Sequence, residues 1–417
     1  MIEEYFSALK TIRRLRAGLS GPFIDGFAES LQQQGYSPTS TIRSLHAASH
    51  IGYFVQHRGG VLSDIDEAML QAFSRHLLRC RCYQLHHHRK TGFHGRFGAK
   101  RFHTYLIGQG ICSESRSSNK LADEPTLVAA FRDWFRRHRG ATEPTLRLYC
   151  RGAAELLHAL GDDVGRWTFQ GVRQYLLHRT SECGAPTIQK LITSLRAFLR
   201  YLSFRGEARD DLELAIPAVA YWRLATLPRC LSADEVDRLI AACAGRSLAR
   251  LRDRAIVLML SRLGLRSGDM ARLRFSDIDW GSGTLLVTGK GRYQVRLPLP
   301  QDVGDALLRY LERRPQCVHD DRVFLRNIAP FKPFTSGDGV SNVVRRALQR
   351  AGIQSPARGA HLLRHTAATE MLRNGVPLDQ IGLVLRHRSI DMTAYYAKVD
   401  FALLREIAQP WPEVRHD

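Results

Sequence analysis

Apolar residues recur every three or four positions along most of this chain. In "IQKLITSLRAFLRYL" (188–202) they fall at Ile188, Leu191, Ile192, Leu195, Phe198, Leu199 and Leu202, the spacing of one buried helical face. The rhythm changes in "GTLLVTGKGRYQVRLPLP", which predicts strands near 284–288 and 293–299 around the Gly-rich turn "GKGR". Helical patterns run over 232–275 before this hairpin and resume from about 302 to the end. Before "CLSADEVDRLI", Ser232 predicts an N-cap and Glu235 completes a capping box. The expected fold is mainly α, with a small antiparallel β-sheet in the last segment.

Three segments emerge. The first ends near 118, in the polar stretch "CSESRSSNKLADEPT". The second covers 119–225, and the third runs from 226 to 417. The first two carry signs of duplication. "TIRSL" (41–45) resembles "TLRLY" (145–149), and "FHTYLIGQG" (102–110) matches "FLRYLSFRG" (198–206) at Phe, Tyr-Leu and Gly. Short matches of this kind also arise by chance at helix ends.

The chain has 417 residues, enough for two or three domains with ample core. Its 61 Lys and Arg against 40 acidic residues leave a formal charge of +21. A polyanion is the natural neutralising partner, and nucleic acid is the commonest. Anionic membrane fits less well, because no strongly amphipathic basic terminal helix or lipidation motif is evident. The longest apolar run, "AIVLML" at 255–260, is core-sized, and "MIEEYFSALK" carries no signal-peptide segment. The expectation is a cytoplasmic protein. Eight scattered cysteines do not resemble a disulfide framework.

"CRCYQLHHHRKTGFHGRFGAKRFHTYLIGQGIC" (80–112) could supply zinc ligands from Cys80, Cys82, His86, His87, His88, His94, His103 and Cys112. The C-x-C spacing is not the usual C-x2-C, and three consecutive histidines cannot all face one ion. The same stretch is rich in Arg, Lys and Gly, which suits a loop lying along phosphates. Cys80, Cys82, His86 and Cys112 are the weak metal candidates; the expectation is no metal.

In the third segment, "LGLRSGDMARL" places Arg266 at a helix start with Asp269 one turn later. The hairpin turn presents Lys290. "HLLRHTAATEML" sets His361 and Arg364 on one face, and "LRHRSIDMTAYYAKVD" supplies His387 and two tyrosines. Two guanidiniums can clamp the negative charge that develops on a phosphodiester under attack. Imidazoles handle protons near neutral pH, and a tyrosine needs a cationic site and a base to become a nucleophile. Taken singly each is weak: Arg266 could be a structural ion-pair partner of Asp269, and Lys290 an exposed hairpin tip. Met392, Tyr395, Tyr396 and Val399 share one stripe, so periodicity does not choose between the rings.

Residues 230–405 resemble the catalytic domain of the tyrosine recombinase (phage integrase) family. "LGLRSGDMARLRFSDIDW" resembles its first arginine box, and "HLLRHTAATEMLRNGVPLDQIGLVLRHRSIDMTAYYAKVD" its second, almost end to end. The resemblance implies that Arg266 and Arg364 clamp phosphate and that Lys290 is the hairpin lysine. It makes His361 the general base or acid, His387 a phosphate-contacting imidazole and Asp269 a supporting acid. In the family the nucleophile lies nine positions after the histidine, which selects Tyr396 over Tyr395. One departure is Arg386, where the family usually has Gly.

The implied activity is site-specific DNA recombination through a 3′-phosphotyrosyl intermediate, with no cofactor and neither ATP nor metal in the reaction. The implied fold is a helical core-binding (SAM-like) domain at 119–225 before an α+β catalytic domain at 226–417. Residues 1–118 would be an additional helical, DNA-binding unit. The implied partners are double-stranded DNA at specific sites and three further protomers or related recombinases in a tetrameric synapse. Apolar positions Phe401, Leu403, Leu404 and Ile407 would let the tail dock on a neighbour. The extra unit tilts the reading to a mobile-element integrase or transposase. A type IB topoisomerase-like enzyme and a catalytically silent DNA-binding regulator are the alternatives.

Overall fold

The computed structural model describes residues 2–80, 82, 92–113, 124–181, 183–218, 227–288, 294–316, 320–355, 357–387, 389, 391–398 and 405. It is mostly helical, with one three-stranded antiparallel sheet among the described residues. Residues 114–225 form one compact unit, and the remaining chain groups as another.

The first segment contains α1 (Leu9–Arg16), α2 (Ile24–Gln33), α3 (Pro38–Gln56), α4 (Glu67–Arg79) and α5 (Gly92–Gly108). Ser37 caps α3 through its side chain, and Pro38 occupies the first turn, where no amide donor is needed. Phe27, Phe73, Phe102 and Leu106 form part of its core. The second segment contains α6 (Thr126–Arg139), α7 (Glu143–Leu160), α8 (Phe169–Ser181) and α9 (Ala185–Phe204), around Phe131, Leu156, Phe198 and Leu202.

The two segments share a succession of elements. Both α2–α5 and α6–α9 are four helices with a 3-10 turn between the second and third, at Leu62–Asp64 and Val164–Arg166. Both α5 and α9 are followed by a left-handed glycine, Gly110 (φ 73°) and Gly206 (φ 71°). Beyond each glycine an amide returns to the helix, Ile111 to the Leu106 carbonyl and Glu207 to the Leu202 carbonyl, both at 3.0 Å. The duplication suspected from short strings therefore has a counterpart in the backbone.

The third segment begins with α10 (Ala233–Ala241). Its capping box is formed as expected: the Glu235 amide donates to the Ser232 hydroxyl, and the Ser232 amide donates to the Glu235 carboxylate. Next come α11 (Leu248–Leu263), α12 (Ser267–Arg272), β1 (Ile278–Asp279), β2 (Thr284–Thr288) and β3 (Gln294–Pro298). The segment finishes with α13 (Gln301–Leu311), α14 (Gly337–Arg350), α15 (Ala360–Arg373), α16 (Leu378–Leu385) and α17 (Asp391–Ala397). The "AIVLML" run is buried throughout, because α11 packs against α13, α14 and α15. β2 and β3 pair from Thr284↔Pro298 to Thr288↔Gln294. This register buries Leu285, Val287 and Leu297 together.

No helix among the described residues is long and apolar enough to cross a membrane. The tail positions proposed for docking, Phe401, Leu403, Leu404 and Ile407, lie outside the described residues.

Candidate active site

The site is built where α11, α15, α16 and α17 end or begin. α11 stops at Gly264, whose φ of 58° favours glycine. A Cβ there would also lie 2.5 Å from the Leu385 side chain. The chain then reaches Arg266, the N-cap of α12. Arg364, one turn into α15, is 2% exposed. Its guanidinium donates to the Gly264 carbonyl at 2.6 Å and to the Leu385 carbonyl, joining the end of α11 to the end of α16. Arg266 donates to the next carbonyl, that of Arg386, at 2.8 Å.

Arg386 stands where the resemblance expects glycine, and its backbone does what glycine would do. It ends α16 in the left-handed conformation (φ 56°, ψ 51°). Its side chain is buried and lies 3.0 Å from the Asp269 carboxylate. No aligned hydrogen bond accompanies that approach, so the contact is one of charge. Asp269 also contacts Arg272 at 3.0 Å. The supporting carboxylate thus pairs with Arg272 and Arg386, and the ion pair with Arg266 considered from spacing is replaced by these two.

The aromatic groups converge on α15. The Tyr396 hydroxyl lies 2.9 Å from His365 Nδ1, and Tyr396 is 2% exposed. His365 is 4.3 Å from His361, ring centre to ring centre. The His387 ring is nearly parallel to Tyr396 at 6.1 Å, and its Nδ1 meets the Thr393 hydroxyl at 2.8 Å. Tyr395 is only partly buried, with its ring edge-on to Tyr396. The structure therefore brings together Arg266, His361, Arg364, His387 and Tyr396, with Asp269 behind Arg386. Lys290 and Arg292 lie outside the described residues, between β2 and β3 in the sequence.

Burial raises the Tyr396 phenol to about 12, against a downward pull from the Arg364 and Arg266 charges. Burial followed by nearby positive charge lowers His365 and His387 to about 4 each. His361 is exposed to solvent, with only part of its ring set against protein. Partial desolvation on that side, then Arg364 and Arg266, hold it below its usual value. Burial and the neighbouring Arg266 press Arg364 down as well. These shifts describe a cationic pocket with an electrostatic preference for an anion. The phenol is protonated, the imidazoles are neutral and able to accept a proton, and a phosphate would relieve the crowding of positive charge.

The profile of the Phage integrase family matches residues 229–402. A Sinorhizobium fredii protein bearing the name "Putative integrase/recombinase y4rA" is 35% identical over 94% of this chain and 94% of its own. The chain belongs to the phage integrase family of tyrosine recombinases. Alcanivorax borkumensis tyrosine recombinase XerC is 32% identical over 58% of this recombinase and 78% of its own length. The fold is also that of XerH site-specific recombinase bound to a palindromic difH substrate in a post-cleavage complex. That match has a TM-score of 0.55 and 19% identity, over 83% of this chain and 96% of the other. This recombinase is an enzyme that acts site-specifically on DNA.

Sequence reasoning missed three residues of the candidate site. His365 follows Arg364 directly and lies one turn from His361, so helical spacing alone could have flagged it. Thr393 and the paired role of Arg386 carried no such signal. The metal candidates also need correction. Cys112 is buried, with its thiol on the Leu62 carbonyl at 3.1 Å, and His103 is buried and not part of the converging group. His86, His87, His88 and the His94 side chain lie outside the described residues. Cys80 and Cys82 instead converge with His50 and His76, which the sequence reading had not considered.

Proposed function

We propose that Tyr396 is the nucleophile of this recombinase and that Arg266, Arg364 and His387 hold the scissile phosphate. The observation that carries the assignment is the Tyr396 hydroxyl, buried and 2.9 Å from a neutral imidazole. In the cleavage step Tyr396 Oη bonds to phosphorus, and the bond from phosphorus to the 5′-oxygen breaks. The phenolic proton passes to His365, with His361 beside it as the next carrier. Lys290, between β2 and β3 in the sequence, protonates the departing 5′-oxygen. The 3′-phosphotyrosyl link conserves the phosphodiester, so attack by another strand's 5′-hydroxyl reverses the step and completes transfer.

The same reading assigns three units to the chain: an added helical unit at 1–118, a core-binding unit at 119–225 and a catalytic unit at 226–417. The repeated succession of helices supports DNA binding by both helical units, as does the net charge of +21. Exchange between two duplexes requires four nucleophiles, hence a tetramer in the synapse. Integration or transposition of a mobile element is the biological event that the extra unit favours.

The test is covalent trapping on a nicked substrate that lets the cleaved 5′ fragment diffuse away. Wild type and Tyr395→Phe should accumulate protein–DNA adduct, and Tyr396→Phe none. Adduct in Tyr396→Phe together with none in Tyr395→Phe would overturn the choice. A substrate with sulfur as the leaving atom should restore cleavage to Lys290→Ala, because a thiolate departs without a proton.

A further inference from the structure

A second cluster of reactive side chains lies in the first helical segment and shares no residue with those assigned to strand cleavage. His50 comes from α3, His76 from the last turn of α4, Cys80 caps that helix, and Cys82 follows two residues on. His50 Nε2 and His76 Nε2 are 3.2 Å apart. Cys80 Sγ lies 3.5 Å from His50 Nε2, and Cys82 Sγ 3.5 Å from His76 Nε2. All four donor atoms fall within 4.8 Å of one another.

We infer that these four side chains form a structural Zn²⁺ site. A tetrahedron with zinc–nitrogen bonds of about 2.05 Å and zinc–sulfur bonds of about 2.3 Å has nitrogen–nitrogen edges of about 3.3 Å. Its nitrogen–sulfur edges are about 3.5 Å by the same geometry. The observed separations match both. Two thiolates and two imidazoles form a closed donor set of the borderline-soft kind that favours zinc, with no position left for a substrate.

Groups around the donors support the ligand role. The Cys82 amide donates to Cys80 Sγ at 3.3 Å, which favours the thiolate. Phe73 stands edge-on to the His50 ring at 5.1 Å, and Phe54 lies 4.9 Å from His76, so the imidazoles are oriented by a hydrophobic wall. The donors themselves are half-buried, open enough for an ion to enter. Bound zinc would tie the end of α4 to α3 immediately before the histidine- and Arg/Lys-bearing stretch 83–91. The C-x-C spacing that argued against a metal is workable because the other two ligands come from helices, outside the loop. The inference is independent of the assignment of Tyr396.

The test is the metal content of untagged, full-length protein purified without chelator. About one zinc per chain is expected. Replacement by Co²⁺ should give the visible bands of a tetrahedral site together with thiolate-to-cobalt charge transfer. Cys82→Ser and His50→Ala should each lose nearly all the zinc. Cys112→Ala and the combined His86→Ala, His87→Ala, His88→Ala variant should keep it. Wild-type protein that is metal-free and takes up neither added Zn²⁺ nor Co²⁺ overturns the site. So does full zinc in His50→Ala with loss in the triple-histidine variant. If the ligand variants fail to fold, the wild-type cobalt spectrum decides, and octahedral absorption without charge transfer counts against the proposal.

Discussion

The carbonyl oxygen of Arg386 accepts a hydrogen bond from the Arg266 guanidinium at 2.8 Å, across 120 residues of sequence. The neighbouring carbonyl, Leu385, accepts from Arg364. The end of α16 therefore aims both arginines, the ones proposed to clamp phosphate, through its backbone. It can do so because residue 386 turns left-handed and presents these oxygens inward.

Arg386→Gly should keep that geometry, since glycine adopts φ of 56° without strain. It removes a buried charge facing Asp269, which retains Arg272 at 3.0 Å. Thermal denaturation should show a loss on the order of 1–3 kcal/mol, with strand cleavage largely preserved. Arg386→Val cannot adopt the turn easily and should lose both stability and cleavage. Equal cleavage by the two variants would disprove the backbone role.

Arg364→Lys keeps a positive charge but cannot hold the Gly264 and Leu385 carbonyls in one planar fork. A buried carbonyl left without a donor costs about 1–3 kcal/mol. The variant should melt earlier and cleave at least about a hundredfold more slowly, a loss comparable to removing a preorganised donor to transition-state charge. Near-normal single-turnover cleavage would remove Arg364 from the clamp.

His365→Phe keeps a ring beside Tyr396 and deletes the acceptor. Cleavage at neutral pH should fall by about 10²–10⁴, the range for a positioned base, with DNA binding unchanged. The rate should recover in part as pH rises, because solvent hydroxide can replace the missing base. If His361→Phe causes the larger loss and His365→Phe almost none, proton acceptance belongs to His361.

The histidine shifts set an acid limit on stability. His365 and His387 titrate near 4 in the folded protein, below the ordinary value near 6.5 that the unfolded chain restores. Between these values the unfolded chain binds more protons, so stability is full above about 6.5 and falls as the pH drops toward 4. The loss by pH 4 should be several kcal/mol, about 3 from each imidazole, read as a falling melting temperature. Bound DNA should soften it, since phosphate favours the protonated imidazoles. A melting temperature constant from pH 7 to 4 would contradict this placement.

Much of the catalytic segment was legible because local rules govern it. Ser232 and Glu235 cap a helix through contacts three residues apart. Alternation fixes the β2–β3 hairpin that flanks Lys290. His361 and Arg364 share a helical turn, and their spacing to His387 and Tyr396 carries the family resemblance. His365 was equally available at i+4 from His361, and only attention to that face was lacking.

What the amino-acid order determined by itself was the succession of helices, the hairpin, the cationic character and the residues able to attack a phosphate. Tertiary structure alone decided which groups meet. Arg386 reaches Asp269 across 117 positions, and His50 meets Cys80 across 30. Whether a tyrosine hydroxyl faces an imidazole, or two histidines face two thiols, depends on how separate helices pack. Periodicity constrains a side chain to one side of its own helix and is silent about the neighbour that side will find.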